Sequence, residues 1–166
     1  MRIGFGYDSH RFEEGASAGV CQKLGGVAVP DCPKLSGHSD ADVLLHAVID
    51  ALLGAAALGD IGSHFPATDE RWRGADSAQL LRQVVDEVAA AGYAIGNVDA
   101  TVICERPKMR PHVDGIRARM AELLGVPVTA VSVKGKTNEG MDAVGQGAGI
   151  AVHAIASLVA VQGQAK

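Results

Sequence analysis

The sequence has few aromatic residues, no paired cysteines and no excess of positive charge. Aromatic residues make up 4% of the 166 residues and hydrophobic residues of all types 48%, so the core must consist mainly of Ala, Val, Leu and Ile. The three cysteines, Cys21, Cys32 and Cys104, contain no CxxC pair, which argues against a disulfide framework and a cysteine-rich zinc ribbon. The net charge of −4 argues against a protein that coats nucleic acid, so we expect no nucleic-acid partner.

Long apolar segments are also absent, because His46 and Asp50 interrupt the longest one before it could span a membrane. Met1 leads directly into strand-like sequence, without the basic region, apolar stretch and cleavage site of a secretory signal. We therefore expect a cytoplasmic, reduced protein with no membrane partner. The length predicts one domain over residues 1–166, with the last few residues as a flexible tail.

Strand-like and helix-like segments alternate along the chain, which predicts α/β or α+β layering. Apolar and alternating segments predict strands at residues 2–7, 24–29, 97–105 and 128–133. Helical spacing predicts helices over residues 40–58, 77–91, 112–124 and 150–161. Ser39 is the expected N-cap of the first helix, which Gly59 ends, and Asp76 or Ser77 caps the second. Residues 60–74 and 134–149 are predicted to be loops, the second of them alternatively a broken strand.

Two short patterns predict a metal site. Asp8 and His10 are two residues apart at the end of the first predicted strand, so their side chains project from one side of it. The following helix carries three polar residues at four-residue spacing on one apolar-flanked face: Asp42, His46 and Asp50. Carboxylate and imidazole groups bind zinc and other transition metals, and His46 is the best candidate for a third ligand. A core histidine bonded to a neighbour is the alternative for His46, but it leaves the nearby acids unexplained.

Four further segments carry residues suited to phosphate or to loop structure. Residues 36–40 place His38 beside helix N-terminal amides, which suits an oxyanion, although an ordinary capping loop explains Ser39. Turn chemistry accounts for the glycines and proline of residues 59–69. Residues 106–112 are basic and proline-stiffened, which suits either a nucleotide or a plain helix connection. Residues 134–140 combine two lysines, a threonine and an acid, as a metal–diphosphate complex requires, but contain no P-loop motif.

Taken together, four motifs resemble the 2-C-methyl-D-erythritol 2,4-cyclodiphosphate synthases of the non-mevalonate isoprenoid pathway. They are GYDSHRF, SGHSDADVLLHAVIDALLGAAALGDIGSHFP, NVDATVICERPKMRPH and VKGKTNEGMDAVGQGAGIA, and the resemblance runs from residue 1 to about residue 158. It implies conversion of 4-diphosphocytidyl-2-C-methyl-D-erythritol 2-phosphate to the 2,4-cyclodiphosphate and CMP, by attack of the 2-phosphate on the β-phosphorus. It also implies an α+β fold, a mixed β-sheet with helices on one face in ferredoxin-like layering, and a homotrimer around a threefold axis with active sites between subunits.

The resemblance assigns roles to residues of this chain. Asp8, His10 and His46 match ligands of one Zn²⁺ per subunit, and Glu139 matches the ligand of Mg²⁺ or Mn²⁺ on the substrate diphosphate. His38 and Thr137 match residues that stabilise the transition state. The methylerythritol pocket is matched by Asp60, Ile61, Gly62, Phe65, Pro66, Ala67, Thr68 and Asp69, and the cytosine and CMP pocket by Cys104, Pro107, Lys108, Met109 and Arg110. Further substrate contacts are expected from Ser39, Asp50, Lys136, Asn138, Ala143 and Gln146.

The sequence departs from the family in its C-terminal motif. Members commonly have Gly-Phe-Thr-Gly-Arg-Gly-Glu-Gly where this chain has residues 142–149, so Gln146 replaces the Arg and Ala148 replaces the Glu. An isoprenoid-diphosphate site on the threefold axis, which rests on that Arg, is therefore not carried over. Lys136 stands where Thr is common, and its charge near the expected diphosphate is a candidate replacement for the lost Arg.

Two other functions are compatible with the residues alone. A zinc-dependent phosphoester hydrolase would use the same three ligands with Asp50 or Asp60 as general base, although the HExxH motif is absent. A non-catalytic trimer that binds a metal or a terpenoid is the second alternative, and the altered C-terminal motif is what favours it. A cyclic rather than a hydrolysed product distinguishes the synthase from the hydrolase.

Overall fold

A computed structural model of the chain describes residues 1–15 and 21–161, and it has a mixed α+β fold. Its main sheet has four strands in the order β1-β6-β4-β5, and a separate two-stranded hairpin consists of β2 and β3. The strands are β1 Arg2–Arg11, β2 Gln22–Leu24, β3 Val27–Val29, β4 Tyr93–Ile103, β5 Val131–Lys136 and β6 Gly149–Ala160. Since β6 is antiparallel to both β1 and β4, and β5 is parallel to β4, the carboxyl ends of β1, β4 and β5 lie at one end of the sheet.

The helices are α1 Val43–Ala56, α2 Ile61–His64, α3 Ser77–Ala90, α4 Val113–Leu124 and α5 Asp142–Gly145. Helix α1 is buried between the sheet and α3, and α4 packs on β5. Short 3₁₀ turns at Glu70–Trp72 and Val128–Ala130 complete the elements. None of the helices described is both long and apolar enough to traverse a lipid bilayer.

Helix α1 approaches β1 so closely that only glycine fits beneath it. A Cβ atom added at Gly4 would lie 1.9 Å from the carbonyl oxygen of Ala51, and one added at Gly6 would lie 1.9 Å from that of Ala47. Small residues continue this row on the neighbouring strand, where Gly4 pairs with Ala156 and Gly6 with Ala154. The side chains that follow on the same face of β1, Asp8 and His10, are consequently brought against the middle of α1.

The predicted helix over residues 150–161 is wrong, because this segment is the central strand β6. Its inner face carries Val152, Ala154, Ala156 and Leu158, which are buried at a spacing of two residues. The many alanines, which favour a helix locally, instead make room for α1 above the sheet. Pairing with strands on both sides outweighs the intrinsic preference.

Several boundaries also differ from those predicted. Helix α1 begins at Val43 with Asp42 rather than Ser39 as its N-cap, and it ends at Ala56, before the C-cap Ala57, which is left-handed with φ 60°. The predicted strand 24–29 is a hairpin that turns at Gly25 and Gly26, and the strand predicted from residue 128 begins at Val131. The predicted loop 60–74 contains α2 and a 3₁₀ turn. The predicted flexible tail falls on residues 162–166, outside the part that the structure describes.

The sheet face opposite α1 exposes large apolar side chains. On β1, Ile3, Phe5 and Tyr7 are 66%, 60% and 49% exposed, and on β6, Ile155 is 47% exposed. The ring of His153 lies between the two aromatic rings, 5.7 Å from Phe5 and 5.0 Å from Tyr7 between ring centroids. A contiguous apolar face of this kind is typical of a protein–protein contact.

Candidate metal and substrate site

Asp8, His10 and His46 converge as the sequence predicts. The Asp8 Oδ2 atom lies 3.0 Å from both His10 Nε2 and His46 Nδ1, and the two nitrogens are 3.3 Å apart. Within residues 1–15 and 21–161, this is the one group of three or more metal-binding side chains with ligand atoms so close together. Strand β1 supplies the first two ligands and the buried helix α1 supplies the third.

The spacing of these three atoms fits a tetrahedral zinc ion. Ligands at about 2.0–2.1 Å from zinc, at tetrahedral angles, are separated from one another by roughly 3.3 Å. The observed separations of 3.0–3.3 Å match this value. Because a tetrahedral ion takes four ligands and the triad offers three, one coordination position remains for another group. One oxygen and two nitrogens also form a ligand set that zinc accepts.

The electrostatics of the triad keep Asp8 ionised. Burial alone would raise the pKa of Asp8, but hydrogen bonds and charge interactions with His10 and His46 outweigh it and hold the pKa well below its usual range. Burial would lower the pKa of His10, whereas the contact with Asp8 raises it. The His10 Nδ1 atom lies 2.6 Å from the carbonyl oxygen of Ser36, which can only accept, so Nδ1 carries a proton. When the ring is neutral, its lone pair is therefore on Nε2, on the side of the triad.

A cavity of about 210 Å³ opens beside the triad. Its walls include many residues that the family resemblance assigns to catalysis and to the methylerythritol pocket: His38, Ser39, Ile61, Gly62, Phe65 and Ala67. Trp72 and Leu80 also line it and were absent from the predicted site. Because α2 and the following turn fold over the triad, residues remote in sequence share one wall with the metal ligands.

Two acids predicted on the face of His46 are not ligands in this geometry. Asp42 is completely buried, and its carboxylate accepts the backbone N–H groups of Gly25, Gly26 and Leu45. It therefore caps α1 and ties the β2–β3 turn to it. Asp50 accepts the N–H of Ile61 at 2.7 Å, which anchors the start of α2. Periodicity identified their shared face but not the backbone donors that engage them.

Asp60, Asp69 and His38, which were also predicted near the triad, make contacts that stabilise the segment after α1. Asp60 caps α2 in a reciprocal arrangement with Ser63, and Asp69 caps the next turn and pairs with Arg71. The ring of His38 lies with its Nε2 atom 3.4 Å from the carbonyl oxygen of Asp69. Asp50, Asp60, Pro66, Thr68 and Asp69 do not line the cavity.

A second, larger cavity of about 810 Å³ lies between β5, α4 and the segment that follows β4. It is lined by six predicted substrate-binding residues and by Thr137, which was predicted to be catalytic; the six are Cys104, Pro107, Lys108, Met109, Arg110 and Lys136. Lys134 and Gly135, from the segment predicted to suit a metal–diphosphate complex, also line it, and Val113, Asp114 and Val133 complete the lining without having been predicted. Lys134, one of the two lysines expected at a phosphate, forms an ion pair with Asp99, so its charge is already paired within the chain.

Glu139 stands at the edge of this second cavity. The Thr137 hydroxyl donates to its carboxylate at 2.7 Å, and Glu105 accepts the N–H of Asn138 at 3.0 Å. Asn138, Glu139, Ala143 and Gln146 are not part of the cavity lining. Ala143 lies in α5 and Gln146 caps its end.

The two cavities lie at opposite edges of the main sheet, one beside β1 and the other beside β5. Asp8 pairs with Val152, Val152 with Val102, and Val102 with Gly135, so Asp8 and Gly135 end one row across four strands. Three strand spacings separate them by about 14 Å. The cavities share no lining residue. One chain therefore keeps the triad and Thr137 apart.

Known proteins share this sequence and fold. A profile of the YgbB family matches residues 1–159. The chain is 60% identical over 158 residues to the 2-C-methyl-D-erythritol 2,4-cyclodiphosphate synthase of Salinibacter ruber, across 95% of this chain and 98% of that protein. It is 57% identical over 160 residues to the protein of the same name from Pseudomonas aeruginosa strain UCBPP-PA14, across 96% and 99% of the two chains.

A solved structure agrees with these sequence relatives. A 2C-methyl-D-erythritol-2,4-cyclodiphosphate synthase in a CDP-bound form is 36% identical and superimposes with a TM-score of 0.85, over 95% of this chain and 100% of that one. The profile match alone covers far more than half of the residues. The chain therefore belongs to the YgbB family.

Proposed function

We propose that the chain converts 4-diphosphocytidyl-2-C-methyl-D-erythritol 2-phosphate to 2-C-methyl-D-erythritol 2,4-cyclodiphosphate and CMP, in the non-mevalonate isoprenoid pathway. The reaction is an intramolecular substitution at phosphorus: an oxygen of the 2-phosphate forms a bond to the β-phosphorus while the bond from the β-phosphorus to the bridging oxygen breaks, and that oxygen leaves with CMP. The observation that carries the proposal is the Asp8–His10–His46 triad inside a family whose relatives named above are cyclodiphosphate synthases.

Asp8, His10 and His46 would hold one Zn²⁺, and Glu139 would hold Mg²⁺ or Mn²⁺ on the diphosphate. When bound, these cations supply Lewis-acid polarisation and charge neutralisation. Asp8 is kept ionised by its two histidine partners, and His10 is oriented by the Ser36 carbonyl. Both arrangements direct the three candidate ligand atoms to one point.

The chain's own residues then align two anions that repel each other. The nucleophile is already a phosphate anion, so the site needs no general base. His38 and Thr137 would donate hydrogen bonds to phosphate oxygens, since each borders one of the two cavities. Holding the reacting groups in attack geometry supplies several kcal/mol, and fixed donors add to it as charge develops.

The two cavities would divide the substrate between them. The cavity beside the triad would take the methylerythritol phosphate, with contacts from residues 60–69 and Ser39, while Asp50 positions Ile61. The larger cavity would take the cytidine part, which agrees with the CDP-bound form of the solved relative. Lys136, Asn138, Ala143 and Gln146 would complete the contacts near the diphosphate.

We infer a homotrimer with active sites between adjacent subunits, each subunit with ferredoxin-like layering. Pairs of cations acting on one phosphoryl group are about 4 Å apart, yet Asp8 and Gly135, near the end of β5, are about 14 Å apart in one chain. The triad of one subunit must therefore meet the Thr137–Glu139 segment of another. The exposed face of Ile3, Phe5, Tyr7 and Ile155 offers an apolar surface for that assembly.

Product analysis tests the reaction. With Zn²⁺ and Mg²⁺ present, the chain should release CMP and the cyclic diphosphate in equal amounts from the cytidylyl substrate. A linear, hydrolysed product would instead establish the zinc hydrolase. Zinc binding without any turnover would favour the non-catalytic trimer.

Subunit mixing tests the shared site. Chains carrying His46→Ala and chains carrying Glu139→Ala should each be inactive alone, and co-refolded mixtures should regain activity because some interfaces combine two intact halves. Sedimentation should show a trimer. Failure of the mixtures to regain activity, with trimers present, would contradict a site built from two subunits.

A further inference from the structure

A row of buried polar side chains leads away from His46 on the side opposite the triad. The His46 Nε2 atom lies 2.9 Å from the hydroxyl of Ser77, the first residue of α3, which is 0% exposed. The Ser77 hydroxyl in turn lies 2.5 Å from Asp40 Oδ1. Neither contact belongs to the reaction described above, and a buried hydroxyl in this position calls for an explanation.

The direction of these hydrogen bonds follows from their partners. An ionised carboxylate only accepts, so the Ser77 hydroxyl must donate its single proton to Asp40. Its lone pair then faces His46 Nε2, which must be the protonated nitrogen of that ring. When Asp8 and His46 bind a cation, the neutral ring therefore carries its lone pair on Nδ1, the atom 3.0 Å from Asp8 and 3.3 Å from His10.

Asp40 is held in place for this contact from several sides. Its backbone N–H donates to Ala75, and its Oδ1 also accepts the N–H of Asp42 at 3.3 Å. Lys23 of β2 lies 3.4 Å from Oδ2 and 3.2 Å from Asp76. Burial alone would lower the pKa of Lys23, but these two acids raise it, so the lysine stays charged.

Ser39 offers a second hydroxyl to the same nitrogen but is less constrained. Its Oγ atom lies 3.0 Å from His46 Nε2 and accepts the N–H of Ala41 at 3.3 Å. It borders the cavity beside the triad, where it can turn to a substrate. Ser77 has its proton committed to a carboxylate, so it is the hydroxyl that determines the tautomer of His46.

We propose that Ser77, oriented by Asp40, is a positioning residue for the metal ligand His46. The inference rests on the proposed function, since it needs the triad to hold zinc. The partner of the second ring nitrogen fixes which nitrogen faces a metal and raises its basicity, and losing such a partner typically weakens metal binding by about 10–100-fold. Ser77 and Asp40 therefore act through His46 without touching substrate.

The test measures zinc affinity directly, by competition with a chromogenic chelator. Ser77→Ala should bind zinc about 10–100-fold more weakly than the native chain, with an altered visible spectrum when Co²⁺ is substituted. Ser77→Thr keeps the hydroxyl and should restore both. Ser132→Ala removes a serine on β5, at the far edge of the sheet, and should leave zinc affinity unchanged.

Thermal unfolding of the metal-free variants verifies that Ser77→Ala is folded at the assay temperature. A folded Ser77→Ala protein with native zinc affinity and a native Co²⁺ spectrum would overturn the inference. A native chain that binds no zinc would overturn the proposed metal site itself, and the inference with it. These two failures are distinguished before activity is measured.

The role of Asp40 has its own readout. Asp40→Asn should weaken zinc binding several-fold in the native background but have no further effect in Ser77→Ala, because Asp40 acts only through that hydroxyl. Equal losses in the two backgrounds would show that Asp40 acts by another route and would overturn the relay. If Ser77→Ala does not fold, native zinc affinity in Asp40→Asn would likewise overturn it.

Discussion

The triad and the Thr137–Glu139 segment are built in different ways. Asp8, His10 and His46 lie on a regular strand and a buried helix that meet through glycine contacts. Glu139, by contrast, follows the end of β5 in a left-handed conformation with φ 51°, a rare backbone state for a residue with a side chain. Its segment is held by hydrogen bonds of Asn138 to Glu105, Asp142 and Met141 rather than by a strand or a helix.

This difference indicates which half of the site is complete in one chain. The triad has its ligand atoms at metal-binding separations already, because packing fixes both elements that carry them. The Thr137–Glu139 segment has an acid and a hydroxyl, but no second metal ligand within hydrogen-bond reach of them is among the described contacts. Under the proposed function, the remaining groups come from a neighbouring subunit.

Breaking the close contact of α1 with β1 should have the largest effect. Gly6→Ala places a Cβ atom 1.9 Å from a backbone oxygen, so we expect a loss of about 3 kcal/mol or more in unfolding free energy and of the triad geometry. Chemical denaturation measures it. Gly115→Ala in α4, where a Cβ meets nothing within 4 Å, is the control and should stabilise by about 0.5–1 kcal/mol. Native stability of Gly6→Ala would contradict the described contact.

Substituting His46 or Glu139 should show whether the triad and the Thr137–Glu139 segment bind separate cations. His46→Ala should abolish tight zinc binding, whereas Glu139→Gln should retain it, and both should lower kcat by about 100-fold or more because a cation is lost from the transition state. Zinc titration and steady-state kinetics measure the two effects. Loss of zinc binding in Glu139→Gln would contradict the assignment of the two cations to separate halves.

Removing one positive charge from the larger cavity should have a smaller effect. Lys136→Thr takes away an exposed ammonium near the expected diphosphate, so we expect KM to rise about fivefold, equivalent to about 1 kcal/mol, with little change in kcat. The effect should shrink at high salt. Unchanged steady-state constants would remove Lys136 from the substrate contacts.

The last prediction concerns the reactivity of the three cysteines, which tests the described burial without changing the sequence. Burial raises the pKa of Cys104 to about 11 and that of Cys32 to about 12, and the charge interactions of neighbouring groups are secondary. Because the thiolate is the reactive form, alkylation of both at pH 8 should be slow and should accelerate as pH rises toward these values. Mass spectrometry should find Cys21, which is exposed, modified first. Early labelling of Cys104 would contradict a closed cavity wall.

Local spacing was enough to predict the metal ligands. Two residues apart on a strand, Asp8 and His10 must share a face, and His46 was the imidazole on a helix otherwise too apolar to be exposed. The same spacing also placed Asp42 on the face of His46 near the predicted metal site, but its carboxylate accepts the backbone N–H groups of Gly25 and Gly26 instead. A helical period reports which side chains share a face, not which backbone donors from another element will meet them.

Strand β6 shows the same limit on a larger scale. Its alanines have a helical preference, and nothing local reveals that two strands will pair with it or that α1 needs small residues beneath it. Ser77 is similar: it is a plausible helix cap in the sequence, and its contact with His46 joins residues 31 positions apart. Such contacts depend on how α3 packs against α1.

The amino-acid sequence by itself therefore determined the family, and it predicted the three candidate metal ligands and the residues offered to a diphosphate, because each follows from local motifs and spacing. Only the tertiary structure decided that Asp8 and Gly135 lie on opposite edge strands of one sheet, about 14 Å apart, with Thr137 just beyond the end of β5. Strand order and helix packing are set by long-range burial and hydrogen bonding, which no short segment encodes. That separation is the physical reason to expect a second subunit at the site.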